Sequence, residues 1–236
     1  MRKLLWLGCL SYLVIGIAHV VGGAVLAQMI EYYRISYRDG GQWIMNQFLG
    51  FLVGVLFAPL LTAKLGKRMT VMLVMGALAV SEMLYSLLLP WGWMLTFAPF
   101  AGFGFGLTKA VVGAMIIDIA KNNKASAMSK LETFFGIGAL LIPIAAAYLI
   151  RHNIWQVSFP ILAAISGITF VLWLTMSFGQ LDDQLGYQGK EGRPKDDDQS
   201  RIRRMPGGFL GYPPKALPFL LLAIMIVLGR GRKQLI

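Results

Sequence analysis

The chain has 236 residues, of which 57% are hydrophobic and only 14% charged, and a formal net charge of +11. That leaves too little polar surface to wrap a water-facing globule, and no polar segment before Gly179 is long enough to house a soluble catalytic or nucleic-acid-binding domain. The cationic excess on such a chain reports membrane topology, so the lipid bilayer is the expected partner and nucleic acid is not.

Six apolar runs, each able to cross a bilayer as a helix, predict an all-α, polytopic membrane bundle. The first, Leu4 to Met29, is 26 residues long and lacks a clean small-x-small exit, so it reads as a retained helix rather than a cleaved leader. Its lone Cys9 excludes an intrachain disulfide, and His19 at its centre is both a hydrogen-bonding and a titratable group. The second run, Trp43 to Ala63, carries the amides Asn46 and Gln47 near its outer end and the small-residue pair Gly50-x-x-x-Gly54. Amides donate and accept hydrogen bonds, as a polyhydroxylated ligand requires, and close glycines let helices approach. Lys64, Gly66, Lys67 and Arg68 form the connection to the third run, Met69 to Leu89, whose one ionisable group in the apolar interior is Glu82.

The fourth run, Trp93 to Ile119, places Lys109 about 15 Å from its inner end, too deep to snorkel easily. Two readings stand for it: a cavity-lining or binding residue, or an ion pair with Glu82. Gly102-x-x-x-Gly106 on the same run is a packing face, since no strand precedes it to make a dinucleotide loop. Asp118 is expected to pair with Lys121 or Lys124. The fifth run, Leu131 to Ile150, opens on Glu132, which suits a helix amino terminus, and its Gly136 and Gly138 are assigned to packing. The sixth run is Trp155 to Phe178.

Lys and Arg concentrate in alternate connections, while Arg34, Arg38 and Arg151 alone fall in the others, so the amino terminus is expected in the cytoplasm. Residues 179–215 are rich in Gly, Pro and charge and read as a cytoplasmic linker. Residues 216–236 hold 13 apolar residues, Ala216 to Leu228, followed by a basic tail, and read as a seventh helix cut short.

The run Gln47-Phe48-x-Gly50-Phe51-Leu52-x-Gly54-Val55-Leu56-x-Ala58-Pro59-Leu60 with Gly66-Lys67-Arg68 resembles the major facilitator superfamily. Met128-Ser129-Lys130-Leu131-Glu132-x-x-Phe135-Gly136-x-Gly138-Ala139-Leu140 with Pro143 is similar to its glucose/mannose and fucose sugar:proton symporters. The resemblance covers residues 1–180. In the superfamily's loop pattern Pro59 replaces the first Gly and Ala63 the Asp, and Lys109 stands where relatives often have an acid.

The resemblance implies an amino-terminal half, residues 1–178, made of two inverted three-helix repeats, in a bacterial plasma membrane. Helices 1, 2, 4 and 5 would line half of a cavity for a small polar solute, a sugar with protons. His19, Asn46, Gln47, Glu82, Lys109 and Glu132 are then the substrate-binding or proton-coupling candidates, and Lys64, Gly66, Lys67 and Arg68 a gating loop. Gly16-x-x-His19 with Gly22 and Gly106-x-x-Lys109 with Gly113 are corresponding positions of the two repeats. The missing wall would come from a carboxyl-terminal half or, alternatively, from a second copy acting as a half-size homodimeric carrier. An intramembrane enzyme is the remaining alternative. It is disfavoured by the lack of Gly-x-Ser-x-Gly and His-Glu-x-x-His runs, and with two histidines in all no metal or other cofactor is expected.

Overall fold

The computed structural model describes residues 2–120 and 123–176. Lys121, residues 177–178 of the sixth run, the 179–215 linker and the shortened seventh helix of 216–236 lie outside the described residues.

Six membrane-length helices run through the described residues: α1 Arg2–Tyr33, α2 Tyr37–Leu65, α3 Lys67–Ser86, α4 Trp91–Ile119, α5 Lys124–Arg151 and α6 Ser158–Thr175. A 3₁₀ turn, Trp155–Val157, leads into α6. Several helices extend beyond their apolar runs, because hydropathy marks the part in hydrocarbon while the backbone stays helical through the polar interface. α2 starts at Tyr37 rather than Trp43, fixed by a capping box in which Ser36 Oγ accepts from Asp39 N–H and the Asp39 carboxylate accepts from Ser36 N–H, both at 3.2 Å. α5 starts at Lys124 rather than Leu131, so Glu132 is its ninth residue and does not cap it.

Short connections force antiparallel neighbours. Gly66 alone separates α2 from α3, and its φ of 79° is open only to a residue without Cβ. The most extensive contacts join α2 to α4, α1 to α5 and α3 to α6. Exchanging α1 with α4, α2 with α5 and α3 with α6 maps this pattern onto itself, as two inverted three-helix units require.

Apolar side chains gain nothing by leaving lipid for another helix, so backbone approach and packing hold these pairs together. Along α2–α4 the glycines are reciprocal. A Cβ on Gly50 or Gly54 would meet the carbonyl oxygen of Pro99 or Phe103 at 2.0 or 2.3 Å, and one on Gly102 or Gly106 that of Gln47 or Phe51 at 1.9 or 2.1 Å. Residues 47, 50, 51 and 54 thus face 99, 102, 103 and 106, the same spacing on both helices. A shorter version joins α1 to α5, where Gly16 meets the Phe135 carbonyl and Gly138 the Leu13 carbonyl. Gly136 differs from its assignment to packing. Among the described residues no atom of another helix lies within 4 Å of where its Cβ would be, because two residues of helix turn it away from the face that Gly138 presents to α1.

Candidate functional site

Lys109 is ten residues from the end of α4 and Glu132 eight residues into α5, which places them at one depth from the same face of the bundle. The Lys109 ammonium donates to Glu132 Oε2 at 3.2 Å. It also lies 4.0 Å from the centroid of the Phe135 ring, one turn along α5, in cation–π geometry. The pair is only partly enclosed, the two side chains being 26% and 42% exposed.

The backbone beneath Lys109 is held by Tyr12 of α1, whose hydroxyl donates to the Lys109 carbonyl at 2.8 Å. Gly113 makes room for that hydroxyl, since a Cβ there would sit 2.7 Å from it. The Lys109 to Glu82 pairing considered from the sequence does not form. Glu82 on α3 is 1% exposed, and its Oε2 has no hydrogen-bond partner. It shares the bundle interior with Trp43 and Tyr85, whose rings stand 5.7 Å apart.

His19 on α1 is half-buried and ringed by aromatics: Phe48 at 4.9 Å, Phe51 at 5.6 Å, Phe105 at 6.1 Å and Phe135 at 6.3 Å. Phe135 therefore touches both ionisable groups and links the α1 and α4 members of the two repeats. Gln47 is buried, with Oε1 directed at Gly22 one turn beyond His19, and Asn46 beside it is half-exposed. The earlier start of α2 sets both amides about a third of the way along the helix rather than near its outer end.

At the opposite end of α2, Lys64 is exposed and Lys67 pairs with Asp118 of α4. The expected local pairing of Asp118 with Lys124 does not form, because the α2–α3 corner folds back over the end of α4, and Lys121 lies outside the described residues. Arg68 donates to the carbonyls of Trp173, Leu174 and Met176 at 3.3, 3.4 and 2.8 Å, at the end of α6, where carbonyls lack a helical partner. Tyr12 and Phe105 were not singled out in the sequence, and Phe48, Phe51 and Phe135 stood there within the family runs without a role of their own. Aromatics on apolar helices carry no local mark that separates a binding wall from a lipid face.

These parts make one wall, on α1, α2, α4 and α5, with a cation, a carboxylate, an imidazole, an amide and flat aromatic surfaces. No residue of the wall is arranged as a nucleophile with its base. Residues 5–230 match the model of the Major Facilitator Superfamily. The chain belongs to that superfamily.

Among relatives of this superfamily member, the glucose/mannose transporter GlcP of Bacillus subtilis (strain 168) is 31% identical over 167 residues, 71% of this chain and 41% of the relative. Its fold is similar to the proton:xylose symporter XylE bound to 6-bromo-6-deoxy-D-glucose, with a TM-score of 0.66 and 12% identity over 74% of this chain and 44% of that one. A partially occluded inward-open form of the xylose transporter XylE from E. coli gives 0.63 and 13%, over 75% and 50%. The chain spans less than half the length of the curated relative it matches. These relatives are transporters, and the chain is a multi-pass membrane protein of their fold rather than an enzyme.

Proposed function

We propose that this chain supplies one six-helix half of a transporter that moves a small polar solute, a sugar, by alternating access, with proton coupling. The observation that carries the reading is the partly exposed Lys109–Glu132 pair beside Phe135, in a chain that is 31% identical over 167 residues to a glucose/mannose transporter. A sugar offers hydroxyls to Lys109, Glu132, Gln47 and Asn46 and its apolar ring face to an aromatic. Glu132 and His19 are the groups we assign to proton exchange, and Glu82 a reserve candidate from outside the wall. Lys64, Gly66, Lys67 and Arg68 serve as the gating connection.

The cationic Lys3, Lys64, Lys67, Arg68, Lys124 and Lys130 share one end of the bundle, which supports an amino terminus in the cytoplasm of a bacterial plasma membrane. A second six-helix half completes the cavity. Further chain of the same protein is the reading we favour, since the matched relative is more than twice as long as the matching segment.

Radiolabelled glucose and mannose uptake into vesicles holding only this chain tests these points together. Sugar binding without accumulation supports a single wall. Proton-driven accumulation supports a homodimeric half-size carrier instead, and neither binding nor uptake of any hexose or pentose overturns the sugar assignment.

A further inference from the structure

A groove at the amino-terminal end of the bundle takes no part in the wall described above. α1 packs against both α5 and α6, which have no extensive contact of their own, and a hollow of about 530 Å³ opens between them. Trp6, Leu7 and Leu10 of α1, Phe134 of α5 and Leu172 of α6 line it, and Lys3 stands at its mouth. A second hollow of about 340 Å³ shares Trp6 and Phe134 and is bordered by Lys130. Trp6 is 67% exposed and meets Phe134 edge-on at 6.0 Å, the placement of an indole at a membrane interface.

In a bilayer an apolar groove that opens sideways fills with a lipid chain, so the selective element here is the charge at its mouth. Both lysines are exposed, and among the described residues no carboxylate lies within ion-pair distance of either. Basic pockets between membrane helices on the cationic face are where acidic headgroups settle. We propose that this groove binds an anionic phospholipid of that leaflet, with one acyl chain between α5 and α6 over α1 and the headgroup phosphate within reach of Lys3 and Lys130. The site fastens three helices at the end where Arg68 ties α3 to α6. It does not depend on the chain transporting a sugar.

The full chain purified in mild detergent from membranes containing phosphatidylglycerol and phosphatidylethanolamine, and weighed by native mass spectrometry, tests the site. Preferential retention of phosphatidylglycerol is expected, reduced about fivefold by each of Lys3→Ser and Lys130→Ser. Leu10→Trp, which fills the groove and leaves both lysines, should lower retention of either lipid. Should that variant not fold, a photoreactive residue at Leu172 should capture phospholipid. Equal retention of the two lipids, unchanged retention in the Lys3→Ser/Lys130→Ser double variant, or capture of residues 177–236 of the chain itself in place of lipid would overturn the proposal.

Discussion

Lys109 and Glu132 meet 3.2 Å apart across the α4–α5 contact, and Phe135 lies under the ammonium. A cation and a carboxylate at this depth in a membrane helix persist by compensating each other, yet both side chains of this pair keep an exposed side. A polar ligand reaching that side finds donors and acceptors already paired and must exchange one hydrogen bond for another, which keeps binding reversible.

Removing one member should leave the other uncompensated. Lys109→Met is expected to lower stability by about 1 kcal/mol, at the weak end of the scale because both groups are partly exposed. Lys109→Met with Glu132→Gln should recover most of it. Thermal unfolding in detergent checks both, and a double variant no more stable than the single one would mean the pair is not the coupling.

The glycine ladder predicts a contrast within one helix class. Gly102→Ala places a methyl 1.9 Å from the Gln47 carbonyl and should cost about 1–3 kcal/mol as α2 and α4 are pushed apart. Gly136→Ala meets open space and should be neutral or stabilising by up to about 1 kcal/mol through helix propensity. Equal melting temperatures for the two variants would remove the ladder from the account.

Arg68→Ala exposes three carbonyls at the end of α6 and should destabilise that turn by about 1–2 kcal/mol. Hydrogen exchange should report it as faster opening of α6 near Leu172–Met176. Arg68→Lys should rescue only partly, since an ammonium cannot fork to several oxygens.

Glu82→Met removes a buried, unpartnered carboxyl oxygen and should raise the melting temperature, by about 1–3 kcal/mol in stability. If Glu82 also takes part in coupling, sugar binding by the complete transporter should persist in this variant while proton-driven accumulation falls. A loss of stability would show instead that Glu82 has a partner in the membrane.

Element existence was legible because crossing lipid demands an uninterrupted apolar run, and lipid tolerates no other open backbone. Gly50-x-x-x-Gly54 and Gly102-x-x-x-Gly106 marked packing faces at helical spacing, though not that the two faces meet each other. His19 and Lys109 stood out as ionisable groups in apolar surroundings. What the sequence hid was partnership. Asp118 has lysines three and six residues away in the chain, yet pairs with Lys67 because the α2–α3 corner comes to it in space. Glu132 looked like a helix start because the apolar run begins there, while the helix itself begins two turns earlier in polar sequence. Gly136 and Gly138 sit in one motif, and only the direction of α1 decides which of them packs.

The proposed function requires Lys109 to face water and sugar rather than lipid. Lys109→Cys in a Cys9→Ser background, treated with a membrane-impermeant thiol reagent in cells making the complete transporter, tests it most directly. Rapid labelling is expected, slowed severalfold by glucose or mannose, with no labelling of Val80→Cys on the exposed apolar face of α3. Labelling of Lys109→Cys no faster than Val80→Cys, or indifferent to every sugar tried, would contradict it.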